Sequence, residues 1–477
     1  MSLTHVPVAP VPPERFMEIL GPQQADEFRD TIRRGLELLD SRVIWNVNST
    51  AQGGGVAEML ASLLAYTRGA GLDARWVVTG GDPSFYRVTK RIHNMLHGFP
   101  GDGRGLDEKD LDVYDRTTEE NARELVPLIS PGDIVLLHDP QTAGLIGPVR
   151  DAGAHVVWRC HIGVDTANDH GRAAWDFLLP HVRGAEALVF TREAHIWDGL
   201  DRSRVTLIPP SIDAFSAKNQ EMRDAVVNAI LCKARLQPGH PAEPPVFVRR
   251  DGSPGRVDRP ATRAGSHPLP AGVQALIQVS RWDRLKDPEG VLEAFASHVA
   301  PRSDAHLVLA GPSTEAVADD PEGAEVLSEV GRLRASLPRS VGDRVHLFSL
   351  PMEDVAENGA IVNAIQRRAD VIAQKSVAEG FGLTVAEAMW KARPVVAGAV
   401  GGIREQVIDG ETGFLVDPLD LEAFAAAALE LLGDPERAIA MGARAREEVR
   451  ERYLGPRHLR QYVELFERLL GAGAGEP

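Results

Sequence analysis

The sequence predicts an α/β protein made of two Rossmann-like, doubly wound halves that face each other across a cleft. Three observations predict it. Short apolar runs alternate with helical patterns along most of the chain, and a continuous β-branched run suits a strand buried on both faces of a parallel sheet. The alternation pauses once, from about Gln237 to Pro270, in a stretch rich in Pro, Gly and Arg. It then restarts with the same order of strand, turn and helix. With 477 residues, the chain is too long for one ordinary core and fits two or three domains of ~150–250 residues each.

The first half opens with "RVIWNVN" from Arg42, then Gln52-Gly53-Gly54-Gly55, then the helical run "VAEMLASLLAYTRGAG". Glycines before a helix let backbone N–H groups approach an anion, or simply make a tight turn. "ARWVVTGG", "DIVLLHDP", "AHVVWRCHIG", "ALVFTRE" and "VTLIPPSID" read as the following strands. Between them, "FYRVTKRIHNMLHG" reads as an amphipathic helix. It places Val88, Ile92, Met95 and Phe99 on one face and Arg87, Lys90, Arg91 and Asn94 on the other. The pause at 237–270 reads as a surface insertion or linker with a turn at "DGSPG". The second half runs through "ALIQVSRWDRLKD", "AHLVLAGP", "RVHLFSLP", "ADVIAQKS", "PVVAGAVGG" and "TGFLVDP", and "LLGAGAGEP" reads as a frayed tail.

Composition bounds the function. The chain is 43% hydrophobic and 25% charged, the balance of a globular protein. A net charge of −16 repels phosphate backbones and argues against nucleic acid as a partner, while leaving room for a local basic site on a small anion. Cys160 and Cys232 lie far apart in no metal-ligand spacing, which fits a reducing compartment. The start shows no basic leader with an apolar segment, and no run approaches the ~20 apolar residues of a membrane span. The expectation is a soluble cytoplasmic protein that engages neither membrane nor nucleic acid.

Ligands of parallel α/β sheets bind beyond the carboxyl ends of the strands. Four candidates stand there: Arg281 with Lys286 after "ALIQVS", His161 after "HVVWRC", Asp139 with Gln141 after "IVLLH", and Glu379 after "ADVIAQKS". Read as residues alone, the cations are either an anion site or a solvated charge run, and His161 is either packed or functional. Thr384 and Glu387 have the spacing of a capping box, so Glu387 is either a cap or a ligand. Glu379 has no such structural role. It precedes the turn amides of Gly380, Gly382 and Leu383, an anion site at a helix start. A carboxylate beside an anion site suits a ligand with both hydroxyls and phosphates. Asp110 and Asp112 form a D-x-D in an acidic loop, which reads as solvated surface and not as a metal site.

"EGFGLTVAE" resembles the E-x7-E signature of the retaining, GT-B-fold glycosyltransferases of family 4. The glycine loop, His161 and the Arg281/Lys286 pair resemble that family's other landmarks in the same order. Within the family, "WNVNSTAQGGGVAEML", "HDPQTAGL", "WRCHIG" and the insertion "RRDGSPGRVDRP" resemble the trehalose synthases. The resemblance implies an N-terminal domain over 1–211, with a helix at about 456–477 packing back on it, and a nucleotide-sugar domain over 212–455. It implies transfer of glucose from UDP-, ADP- or GDP-glucose to free glucose, with no strict metal requirement, in a homodimer. It assigns the diphosphate to Arg281 and Lys286, the donor glucose to Glu379 and the turn amides beside Thr384, and the ribose to Glu387. The base would lie near Leu350, and Gly54 and Gly55 would close on the phosphates. His161 would contact the donor glucose, and Lys90, Asn94, Asp139 and Gln141 would hold the acceptor. A retaining trehalose phosphorylase and a non-catalytic sugar-nucleotide sensor are the competing readings.

Overall fold

The apolar runs become the strands of two sheets. A computed structural model of the full chain describes residues 3–51, 55–265, 267–314 and 321–472. The described residues divide into two units: those up to Ser211 together with those from Gly455 onward, and Ile212–Leu454. Gly53, Gly54 and the last residues of the expected tail lie outside the described residues.

Unit 1 holds a seven-stranded sheet. Its strands are β1 (Thr4–Val6), β2 (Ile44–Asn48), β3 (Ala74–Val78), β4 (Ile134–His138), β5 (His155–Cys160), β6 (Ala187–Phe190) and β7 (Val205–Leu207). The order is β1-β3-β2-β4-β5-β6-β7, parallel except for the edge strand β1. Alternate side chains of β5 serve opposite faces, as a strand's period of two requires. Val156, Trp158 and Cys160 join one apolar cluster and Val157 joins the other. Helix Gly455–Ala472 covers the second face, packs on helix Pro22–Leu38 and buries Leu465 and Phe466.

Unit 2 repeats the pattern. Strands β11 (Ala275–Val279), β12 (His306–Pro312), β13 (Val345–Leu350), β14 (Val371–Gln374), β15 (Val395–Gly398) and β16 (Gly413–Val416) are parallel, in the order β13-β12-β11-β14-β15-β16. Residues 237–265, read as a surface insertion or linker, lie within this unit and so do not link it to the other. β8 (Val246–Val248) and β9 (Pro254–Arg256) form a hairpin, and β10 (Thr262–Arg263) pairs antiparallel with β13. Charge explains the docking. The buried Glu357 carboxylate on helix Val355–Arg368 accepts the Asp258 and Arg259 N–H groups, each at 2.7 Å, and pairs with the Arg259 guanidinium. Arg249 makes a two-point bond to Asp354 at 2.6 and 3.1 Å, the planar fork geometry that arginine favours.

Two further expectations change. Asp110 is not solvated. It is 8% exposed, 2.6 Å from Arg91 and bonded to the Asp107 N–H at the start of helix Glu108–Leu125. Arg91, assigned to the polar face of its helix, is buried between Asp102 and Asp110, while Phe99 lies beyond helix Pro83–Leu96 and is exposed. A long basic side chain can sit inside when carboxylates meet it from both sides. No helix among the described residues is long and apolar enough to cross a membrane.

Candidate active site

Strand order reverses in unit 2 between β11 and β14, neighbours that place Leu276 opposite Val371. Such a reversal opens a crevice at the strands' carboxyl ends. The loop Arg281–Asp287 leaves one side and Lys375–Gly382 the other. The Val377 N–H donates to the Leu285 carbonyl at 2.9 Å and ties the loops together. Across this join Lys286 Nζ forms an ion pair with the Glu379 carboxylate, their side chains 16% and 13% exposed. Arg281 is largely exposed and lies 2.8 Å from Asp283.

A second, deeper pair braces the same loops. Lys375, 1% exposed, pairs with Asp287. Asp287 is left-handed (φ 48°), and its carboxylate also caps the Gly290 N–H at 3.0 Å. A non-glycine residue in that region is strained and persists where its surroundings hold it. Here the buried ammonium and the helix start both do so.

The turn between the two glutamates is set by Gly382. It stands at the N-cap of helix Leu383–Trp390 with φ 87°. A Cβ there would come within 2.9 Å of Ile403 Cγ1 and 3.2 Å of Glu379 Cγ. The Gly380 carbonyl accepts the Gly402 N–H at 3.0 Å, so the glycine pair after β15 packs on the turn. The capping box does not form, because the cap falls on Gly382 and leaves Thr384 and Glu387 inside the helix. Thr384 Oγ1 donates to Gln374 Oε1 at 3.2 Å. Leu383 begins the helix. Glu387 is 2% exposed, with Oε1 3.3 Å from Lys218 Nζ. Its carbonyl accepts from Lys391 Nζ at 2.9 Å, and that ammonium also donates to Asn219 at 2.9 Å. Burial pushes Lys391 down to about 7, against the pull of the Glu387 charge. Leu350 ends β13, buried, and its carbonyl accepts the Ser313 N–H at 2.8 Å.

In unit 1 the order reverses between β2 and β4. Asp139 follows β4 with φ 65°, and its Oδ1 accepts the His161 N–H at 2.8 Å. Burial pushes its carboxyl up to about 7, while the His161 N–H and the Arg159 charge pull the other way. His161 Nε2 lies 3.1 Å from His138 Nδ1, and His138 Nε2 lies 3.1 Å from Asn46 Oδ1. Burial first, then Arg159, lowers His138 to about 3 and holds His161 well below its ordinary value. Arg159, wholly buried, donates to the Ile208 carbonyl at 3.1 Å and to Tyr462, and lies 2.9 Å from His458 Nε2. Gln141 Oε1 is shielded from solvent and accepts no hydrogen bond among the described residues.

The structure thus brings Asp139 and His161 into contact in unit 1, and Lys286 and Glu379 into contact in unit 2. Lys90 is exposed and Asn94 half-buried on helix Pro83–Leu96. Among the described residues, no hydrogen bond links either to Asp139 or His161. Gly55 opens helix Gly55–Gly69 and is exposed, and Gly54 lies outside the described residues. Sequence reasoning missed Asn46, His138, Arg159, Lys218 and Lys375. Asn46, His138, Arg159 and Lys375 lie in or directly after strands, which was the one available signal.

The family model for the N-terminal domain of trehalose synthase matches residues 46–196, and the model for glycosyl transferases group 1 matches residues 262–448. The chain is 36% identical to a trehalose synthase from Rubrobacter xylanophilus, over 94% of this chain and 98% of that one. It is 34% identical to a trehalose synthase from Pyrococcus horikoshii, over 96% of each. In fold it is similar to an α,α-trehalose-phosphate synthase (UDP-forming) from Burkholderia xenovorans, solved in complex with glucose-6-phosphate. The TM-score is 0.63 at 15% identity, over 91% of this chain and all of that one.

Proposed function

Because this chain belongs to the trehalose synthase family, with the two Rossmann-like units of the GT-B fold, we propose that it moves glucose from a nucleoside diphosphate glucose to free glucose. The products are α,α-trehalose, formed with retention at the anomeric carbon, and the nucleoside diphosphate. The observation that carries this reading is the Lys286–Glu379 pair beside Arg281, at the strand reversal of unit 2. One donor molecule has a use for both signs of charge: phosphates for the cations, sugar hydroxyls for the carboxylate.

Arg281 and Lys286 hold the diphosphate. The turn amides of Gly380, Gly382 and Leu383, with Glu379, hold the donor glucose, and Thr384 stands beside them. Glu387 takes the ribose hydroxyls, the base lies near Leu350, and Gly54 and Gly55 close on the phosphates. Lys90, Asn94, Asp139 and Gln141 take the acceptor, and His161 contacts the donor glucose. In the reaction the bond from C1 to the diphosphate oxygen breaks. A bond from C1 to the acceptor oxygen forms on the same face, and the acceptor proton passes to the departing phosphate oxygen. Negative charge grows on the leaving group, and fixed cations aimed at it stabilise the transition state most where water is excluded.

Purified protein should make trehalose from glucose and at least one of UDP-, ADP- or GDP-glucose, with an α,α linkage by proton NMR. Synthesis from glucose and glucose 1-phosphate without a nucleotide, with phosphate released, would replace this reading with a phosphorylase. Donor binding without product would replace it with a sensor.

A further inference from the structure

We propose that Asn46 and His138 set the ring tautomer of His161, keeping its proton on Nε2 and leaving Nδ1 as a lone-pair acceptor. The chain of contacts decides the direction. β2 and β4 are parallel neighbours with Asn46 opposite Leu136, and β4 and β5 place His138 opposite Arg159. Asn46, His138, Arg159 and His161 therefore fall on one side of the sheet. A carbonyl oxygen accepts and never donates, so the Asn46 Oδ1 contact at 3.1 Å needs the proton on His138 Nε2. A neutral imidazole carries one N–H, so His138 Nδ1 is bare. The 3.1 Å contact to His161 Nε2 then needs the proton on that atom, and His161 Nδ1 is left bare.

Both rings must be neutral for this, and their surroundings keep them so. Arg159 comes from β5, and among the described residues the hydrogen-bond partners of its guanidinium, His458, Tyr462 and the Ile208 carbonyl, carry no negative charge. The other titratable groups facing the pair are Asp139, which accepts the His161 backbone N–H, and His458 of the C-terminal helix. Burial and the Arg159 charge disfavour a second proton on either ring. The backbone bond to Asp139 fixes where His161 sits, and the His138 contact fixes how its ring is protonated.

This inference rests on the proposed function only for its consequence. Positive charge develops on the donor sugar as its bond to the diphosphate breaks. An imidazolium nearby would oppose that charge, whereas a bare Nδ1 can accept a sugar hydroxyl. His138 and Asn46 are in this sense positioning residues.

The test is nitrogen NMR of the wild-type protein labelled with [15N]histidine, with the His161 signals identified by their loss in His161→Gln. At neutral pH, Nε2 should appear protonated and Nδ1 bare. A protonated Nδ1, alone or as imidazolium, overturns the inference. His138→Phe keeps a flat ring without its nitrogens. It should mix the His161 tautomers and lower kcat by about 10–100-fold, the usual effect of losing a residue that orients a site histidine, with nucleoside diphosphate affinity held within about twofold. A folded His138→Phe with wild-type kcat and a single His161 tautomer also overturns it. If that variant does not fold, the wild-type spectrum decides. The spectrum does not depend on turnover, so a protein that makes no trehalose yet shows the bare Nδ1 would end the functional reading and leave this inference standing.

Discussion

Lys286 and Glu379 neutralise each other, so Glu379 and the more distant Glu387 should respond differently to substitution. Glu379→Ala frees Lys286 for phosphate. Nucleoside diphosphate should then bind as well or better, by up to about 1 kcal/mol, while glucosyl transfer falls by a factor of 100 or more on the order expected for loss of a sugar-orienting group. Glu387→Ala should weaken diphosphate and donor alike by about 1–3 kcal/mol. Calorimetry with the diphosphate and kinetics with the donor check both, and equal loss of diphosphate binding in the two variants would refute the assignment. Asp139 gives a pH prediction. Its folded-state value is raised to about 7 from an ordinary 3.8. The protonated form is therefore favoured by folding, and its contribution to stability is full below 3.8 and lost as pH rises through about 7. Asp139→Asn should remove this decline, so the melting temperature of the variant relative to wild type should be higher at pH 8 than at pH 5, values chosen on either side of that transition. If the ionised carboxylate holds the acceptor, the acid limb of kcat/KM for glucose should also disappear in the variant. His138 and His161 stay neutral over this range and add no limb of their own.

At the scale of the element, helix Leu383–Trp390 begins on a left-handed glycine. Gly382→Ala should cost about 1–2 kcal/mol from the backbone alone, with a further loss of donor affinity because the new Cβ would press on Glu379 Cγ. Chemical denaturation and donor KM report the two effects separately. The hairpin of β8 and β9 gives another test. Arg249 lowers the Asp354 carboxyl to about 2, so this group stabilises the fold above its ordinary 3.8, and the contribution is lost as pH falls toward 2. The melting temperatures of wild type and Asp354→Asn should differ at neutral pH and converge near pH 2. These elements also mark what the sequence could express. All twelve parallel-sheet strands were legible, because a strand buried on both faces needs an unbroken apolar run. Arg281, Lys286, Glu379, Asp139 and His161 were legible because the strand ends are local features. Their partners were not. Lys375 pairs with Asp287 across 88 residues and His138 meets Asn46 across 92, and a pairing at that distance leaves no periodicity. The capping box stayed an open alternative for a different reason. Thr384 and Glu387 have the right spacing, but Gly382 already supplies the turn, and spacing alone does not say which residue leaves the helical region.

At the scale of the molecule, charge is allotted by unit. Asp110, which a metal-binding reading of the D-x-D would need, is committed to Arg91 in unit 1, while Arg281 and Lys286 stand at the strand reversal of unit 2. Activity should therefore survive EDTA. Asp112→Asn should be neutral, whereas Asp110→Asn should cost about 1–3 kcal/mol, because the buried Arg91 loses one of its two carboxylates and keeps Asp102. A strict need for added Mg²⁺ would overturn this. The two units also differ in connectivity. Ile212–Leu454 is one continuous stretch and should fold when expressed alone. Residues 1–211 should not, because Arg159 would lose His458 and Tyr462 and keep a buried charge with too few acceptors. Co-expression with a peptide of residues 455–477 should restore a cooperative melting transition, and a cooperative transition without the peptide would show the last helix to be dispensable. In the cell this connectivity reverses the order of completion. The ribosome makes the first unit first, then spends roughly 10–50 s on the second at ~5–20 residues per second. The helix Gly455–Ala472 that closes the first unit is made only after the whole of the second. The half of the protein that is translated earliest is thus the half that matures last, and a stop codon just before Gly455 would leave that half incomplete while the later-made half stands finished.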